Sequence, residues 1–151
     1  MAFWQGICKE KIMHLKIEHE DNPDSSAISA IQKGLDAYNI AIAGEYNTRP
    51  LWLFGRDEAS VIQAGLKGQT HYSWLYVDWL WIAESFRGHD YGSKLLLQAE
   101  NIAKERGCVG AFLYTYRFQA PDFYQKYGYK EFGRVENLPP GHSRIYFSKT
   151  F

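Results

Sequence analysis

Cysteine is scarce in these 151 residues: Cys8 and Cys108 stand far apart, in no C-x-x-C spacing and in no pattern of a disulfide framework. They read as reduced thiols of a cytoplasmic protein. Charge of one sign is missing as well. Lys plus Arg and Asp plus Glu both number 17, so the formal charge is zero and the totals imply no basic face for nucleic acid. No apolar run approaches the ~20 residues that span a bilayer, and no signal-peptide core opens the chain. The expectation is a soluble intracellular protein without a membrane partner. No His, Cys, Asp or Glu spacing suits a metal, and Cys108 reads as a buried core thiol. Repeats, low-complexity segments and Pro/Gly/Ser linkers are also lacking, which leaves residues 1–151 as one domain.

Aromatic residues are abundant instead, at 17% and including Trp4, Trp52, Trp74, Trp79 and Trp81. Most such side chains supply core and interface area. Trp74, Tyr76, Trp79 and Trp81 crowd one stretch and are candidate walls for a cationic or flat ligand. That stretch runs on as WLWIAESFRGHDYGSKLLL from Trp79 to Leu97: an apolar strand end, a turn at Arg87 to Gly92, then helical spacing. A strand feeding a glycine-flanked turn and a helix N-terminus is an anion cradle, because the first helical N–H groups lack carbonyl partners and the dipole favours negative charge. Gly88 and Gly92 allow close backbone approach to a phosphate. Rival motifs fail. Gly92-Ser93-Lys94 puts the lysine and hydroxyl at the wrong offset from Gly88 for a P-loop, and no G-x-G-x-x-G occurs.

The order of elements can be read along the chain. Met13, Leu15 and Ile17 alternate with polar residues as a strand would. Asp24 or Ser25 can cap a helix carrying Ile28, Ile31, Leu35 and Tyr38 that ends near Gly44. Pro50 to Phe54 and Ala59 to Leu66 flank Gly55-Arg56-Asp57-Glu58 as a hairpin, and Gly68-Gln69-Thr70 reads as a turn before a strand from His71 to Ala83. A helix from Gly92 to Arg106 carries Leu95, Leu96, Ala99, Ile102 and Ala103 on one stripe, with Gly107 as its C-terminal cap. Val109 to Tyr116 is then a parallel strand, Ala120 to Tyr127 a short helix, and 130–135 and 143–148 the closing strands.

Two motifs in this βαβββαβαββ order resemble those of the GNAT superfamily of N-acyltransferases. In the acyl-CoA motif [RQ]-x-x-G-x-[GA], Arg87, Gly92 and the following Leu95-Leu96 match, while Asp90 takes the middle glycine's place. In the later N-x-x-A-x-x-[FL]-Y-x-x-x-G-[FY] pattern, Ala120, Phe123-Tyr124, Gly128 and Tyr129 are in register, with Arg117 at the asparagine position. Pro139-Pro140-Gly141-His142 before the last strand is similar to a branch of small bacterial members of unassigned substrate. The resemblance implies an α/β fold with a central twisted mixed sheet of about seven strands, splayed between strands 4 and 5 and flanked by helices.

It also implies acetyl-CoA as cosubstrate. The main chain of Leu80, Trp81 and Ile82 would hold the pantetheine arm as a pseudo-strand, and Arg87, Gly88, His89, Asp90, Tyr91, Gly92 and Ser93 the pyrophosphate. Gln119 and Arg117 would stand at the mouth. Tyr124 matches the family tyrosine beside the CoA sulfur and is the candidate acid for the departing thiolate. The base is left open between Asp78, which shares a face with Leu80 unless a bulge intervenes, Glu84, a water relay, and His142, whose ordinary pKa is ~6.5. The activity implied is transfer of acetyl to a primary amine, of a small molecule, by direct attack in a ternary complex. Alternatives are a non-catalytic acyl-CoA binding or sensing domain and a protein lysine or N-terminal acetyltransferase. Resemblance and aromatic surface together allow a homodimer.

Overall fold

The structure is a computed structural model that describes residues 14–151. The chain divides into two compact units, one ending at Ala43 and the other spanning Gly44–Phe151. In the first, α1 (Ser25–Ala43) starts where the Asp24 carboxylate accepts the N–H groups of Ser26 and Ala27, both at 2.8 Å, and the Ser26 hydroxyl. Asp24 is therefore the cap, and these donors, the Ser26 hydroxyl foremost, hold its carboxyl below the usual range. Gly44 follows the helix at φ 77°. Of the strand expected near the start, Met13 lies outside the described residues, and 14–18 form no strand, with Leu15 and Ile17 exposed. Alternation makes a strand only where a neighbouring edge supplies the ladder.

The second unit is a six-stranded mixed sheet: β1 (Arg49–Arg56), β2 (Ile62–His71), β3 (Trp74–Ile82), β4 (Gly110–Tyr116), β5 (Lys130–Glu136) and β6 (Ser143–Thr150). Its order is β1-β2-β3-β4-β6-β5, with β3 and β4 parallel and every other pair antiparallel. The first hairpin turns at 57–61, as its composition indicates. The second does not turn at Gly68-Gln69-Thr70, which lie inside β2; the chain reverses at Tyr72-Ser73, with φ of 46° and 58°. Neither residue is an ordinary primed-turn residue. Tertiary contacts hold the turn: the Tyr72 N–H donates to the Tyr46 carbonyl at 2.9 Å, and the Tyr72 ring packs on Tyr46 and His71.

Helix α2 (Tyr91–Glu105) lies on β1, β2 and β3 and buries Leu95, Leu96, Ala99 and Ala103 against Leu66, Leu75, Val77, Leu113 and Phe147. Its end is a Schellman motif, with the Gly107 N–H donating to Lys104 O and the Cys108 N–H to Ala103 O, both at 2.9 Å, and Gly107 at φ 81°. Cys108 is buried, and burial pushes its thiol pKa up. One charge sits in the same apolar stripe: the Glu100 carboxylate, 2% exposed, takes Lys149 Nζ at 2.7 and 3.0 Å. The short α3 (Pro121–Lys126), with Pro121 in its first turn, delivers Tyr124 to the core edge. No helix among the described residues is long and apolar enough to cross a membrane.

Candidate active site

The ladder between β3 and β4 stops early. Pairing runs from Trp74↔Gly110 to Val77↔Leu113, after which Asp78 to Ile82 and Tyr114 to Tyr116 continue unpaired with each other. Apart from the Ile82 carbonyl, held by Arg87, and the Tyr116 N–H, held by Gln119, the inner edges are thus left without strand partners along a cleft of about 760 Å³. An amide-bearing chain can satisfy such edges as an added strand.

A bulge coincides with the parting. On β2 the register jumps from Lys67↔Trp79 to Gly68↔Val77, leaving Asp78 as the extra residue of β3. Gly68 is required opposite it, because a Cβ there would stand 2.6 Å from the Tyr76 carbonyl oxygen. The extra residue also resets side-chain parity: Leu75 and Val77 face the core before it, and Leu80 and Ile82 do so after it, leaving Trp79 and Trp81 exposed. Asp78 lines the cleft, and its Oδ2 takes Lys67 Nζ at 2.6 Å. Lys67 in turn lies 4.1 Å from the Trp79 ring centroid.

Beyond β3, a single 3₁₀ turn (Glu84–Phe86) leads into the cradle. Gly88 sits at φ 77° and Asp90 at φ 60°, so Asp90 adopts the left-handed backbone that the family's glycine would supply, and Asp tolerates it better than most residues. The Asp90 carbonyl accepts the Lys94 N–H at 3.0 Å and the Ser93 hydroxyl at 2.8 Å, closing the first turn of α2. Arg87 Nε–H donates to Ile82 O at 3.2 Å, tying the turn to the strand end, and the His89 ring meets Arg87 O at 2.8 Å. Arg87 and Gly92 line the cleft.

The opposite wall comes from β4 and α3. Gln119 Oε1 accepts the Tyr116 N–H at 2.9 Å and the Thr115 hydroxyl at 3.0 Å, fixing the chain as it leaves β4. Tyr114 and Tyr116 pack under the Arg144 guanidinium, which also donates to the Tyr116 hydroxyl. Tyr124 lines the cleft yet is only 8% exposed; burial pushes its phenol up to about 12. It therefore stays protonated at neutral pH and can donate.

A family description, acetyltransferase (GNAT) domain, matches residues 49–131. An acetyltransferase of Agrobacterium fabrum is 37% identical over 131 residues, 87% of this chain and 96% of its own. The chain belongs to the GNAT acetyltransferase family. Accordingly it is an acyl-CoA-dependent acetyltransferase. Blasticidin-S acetyltransferase of Streptomyces morookaense is 39% identical over 97 residues, covering 62% of this chain and 71% of that protein. The crystal structure of a Bacillus cereus acetyltransferase superposes with a TM-score of 0.82 at 36% identity, over 89% of this chain and 98% of that one.

Among the residues that the GNAT motifs nominate, Asp78, Leu80, Trp81, Ile82, Arg87, Gly92, Gln119 and Tyr124 line one cleft. Gly88, His89 and Asp90 are exposed on the turn and Tyr91 at the start of α2, Ser93 is buried with its hydroxyl donating to Asp90 O, and Glu84 is exposed on the 3₁₀ turn outside the lining. Arg117 is exposed, its N–H donating to Ser143 O at 3.0 Å. His142 is exposed too, its ring edge-on to Phe118 with centroids 4.9 Å apart. Of the expected aromatic walls, Trp79 and Trp81 line the cleft, while Trp74 and Tyr76 instead pack on Phe112. Sequence reasoning missed Tyr114, Tyr116, Phe118 and Phe123 as lining residues. Position at the far end of the parallel strand was the available signal for the first two. Lys67 gave none, since its meeting with Asp78 depends on the β2–β3 pairing set by the turn at Tyr72-Ser73 rather than at Gly68-Gln69-Thr70.

Proposed function

We propose that this acetyltransferase moves acetyl from acetyl-CoA to a primary amine of a small molecule by direct attack in a ternary complex. The observation that carries the reading is the end of the β3/β4 ladder at Val77 and Leu113, with Asp78 on one wall of the opening and Tyr124 on the other. Pantetheine fills the gap along Leu80 to Ile82. Its diphosphate meets the backbone of residues 87–93 and the Arg87 cation, and the thioester carbonyl lies against an N–H near Leu80 or Trp81. Tyr124 gives its proton to the leaving thiolate. Asp78 receives the ammonium proton; it has a better claim than Glu84 because it lines the cleft.

Balanced, the ammonium gives one proton to Asp78, the amine nitrogen bonds to the acetyl carbon, the C–S bond breaks as Tyr124 protonates the sulfur, and the nitrogen loses a second proton that restores the Tyr124 phenol, for a net release of one proton. One relative is named for a single compound, blasticidin-S, rather than for a protein. A fold neighbour from Bacillus anthracis, TM-score 0.60 and 21% identical, was solved with acetyl coenzyme A. Both support the reading. A homodimer is the state we expect, to be read by sedimentation. The decisive assay is thiol release from acetyl-CoA across an amine panel, for wild type and Tyr124→Phe. Turnover that falls at least tenfold in the variant supports the assignment; acetyl-CoA binding with no amine turned over refutes it in favour of a sensing domain.

A further inference from the structure

On the far side of the Trp79–Trp81 wall lies a second hollow of about 260 Å³, bounded by Trp52, Phe54, Ile62, Lys67, Trp79 and Trp81. Trp79 and Trp81 border the cleft as well, so the two spaces share those rings as a common wall. The four large rings are all about half exposed: Trp52 49%, Phe54 51%, Trp79 59% and Trp81 50%. Contiguous apolar surface of this kind marks a binding face. Their arrangement is ordered, Trp52 and Phe54 lying parallel within 8° at 6.0 Å and Trp79 edge-on to Trp52 at 6.2 Å.

The lining narrows the ligand chemistry. Lys67 is its one charged group, and that ammonium is already engaged by Asp78 and by the Trp79 face. The Arg56 guanidinium, 5.7 Å from the Phe54 ring centroid, donates to Ser60 O and lies outside the lining, so no unpaired charge lines the hollow itself to hold a phosphate, a carboxylate or a second ammonium. Such walls favour a flat apolar or aromatic ring, which offset or edge-to-face contact rewards beyond its area. The volume is below the ~300–1,000 Å³ of whole-ligand sites, so the hollow suits one fragment of a ligand whose remainder lies elsewhere. Asp78 fixes where. It lines the cleft on one side and is bonded on the other to Lys67, which lines the hollow, so an amine presented to Asp78 has a ring-sized space a short distance away.

We propose that this hollow is the second half of the acceptor site, and that the acceptor carries a planar aromatic or heteroaromatic ring a few bonds from its primary amine. The inference rests on the amine-acetylation reading. It predicts selection by shape and π-character at constant size.

The test compares 2-phenylethylamine with 2-cyclohexylethylamine, which differ in ring planarity but not in reach. Wild-type enzyme should show a kcat/KM at least tenfold higher for the aryl amine, carried by KM. Trp52→Ala should erase that preference and Trp52→Phe restore most of it; Phe54→Leu is the second variant should Trp52→Ala misfold. Quenching of tryptophan fluorescence by the same two amines, with CoA present, reads the preference without turnover. Equal constants for the two amines in wild type overturn the proposal even where both are acetylated, which leaves the acetylation reading intact. Equal quenching overturns it where neither is acetylated, and the acetylation reading is then decided separately by the amine panel. A sedimenting dimer that dissociates on Trp52→Ala overturns it as well, by giving the hollow to a second copy.

Discussion

Replacing Gly68 by alanine tests the bulge that places Asp78. The new Cβ would stand 2.6 Å from the Tyr76 carbonyl oxygen and 3.5 Å from Leu75 Cδ1. Carbon and carbonyl oxygen ordinarily meet at ~3.3–3.6 Å, so the first contact is roughly 0.7–1.0 Å too short. The obstacle is backbone in a paired strand and no side-chain rotamer relieves it; β2 and β3 must separate locally. Overpacking of this kind costs about 1–3 kcal/mol. At ~2–4 °C per kcal/mol for a domain of this size, Tm should fall by roughly 3–10 °C. The displaced segment carries a proposed catalytic group, and a ~1 Å misplacement can cost ~10²-fold, so kcat should fall about 10- to 100-fold.

Gly133→Ala is the matched control, because a Cβ there meets nothing within 4 Å. Its Tm should stay within ~2 °C, the range of an inconspicuous surface change. Thermal melts by circular dichroism and thiol-release kinetics read both variants. Gly68→Ala melting and turning over like Gly133→Ala would refute the reasoning.

Three other outcomes are expected. Lys149→Met leaves Glu100, 2% exposed, without its cation, and should cost about 3–5 kcal/mol in urea unfolding, with much of the loss recovered in a Glu100→Gln/Lys149→Met double variant. Burial lifts Tyr124 to about 12, whereas in the unfolded chain it ionises near ~10. The stability present below pH ~10 is therefore lost as pH rises towards about 12, and Tyr124→Phe should show a shallower fall of Tm over that window. Gly92→Ala adds a Cβ 3.5 Å from the Phe123 ring, an ordinary contact, so it should fold normally while its methyl weakens acetyl-CoA binding about tenfold by calorimetry, worth ~1.4 kcal/mol.

The helices and the cradle could be read from the chain because their signals are local. Asp24 before Ile28, the Leu95-Leu96 stripe and Gly107 each act within a few residues of themselves, and the Arg87-to-Gly92 and Ala120-to-Tyr129 spacings carry the family resemblance. What stayed hidden depends on pairing between distant segments. Gly68 looks like a turn residue and is instead the clearance opposite a bulge; Tyr72-Ser73 looks unfit for a turn and is held in one by Tyr46 and His71. The Lys67–Asp78 pair follows from the register that the Tyr72-Ser73 turn sets, in which the two residues lie across from each other until the bulge shifts Lys67 opposite Trp79. Leu15 and Ile17 alternate correctly and form no strand, because period two states a capacity for pairing and not the presence of an edge.

The central claim is that the parted inner edges of β3 and β4, with the turn after Phe86, hold acetyl-CoA. A ¹⁵N-resolved NMR titration with CoA addresses it residue by residue. The largest amide shifts should fall on Leu80, Trp81 and Ile82 and on residues 87–93, with smaller changes at Gln119 and Tyr124. Shifts confined to other surfaces, or none at saturating CoA, would contradict it.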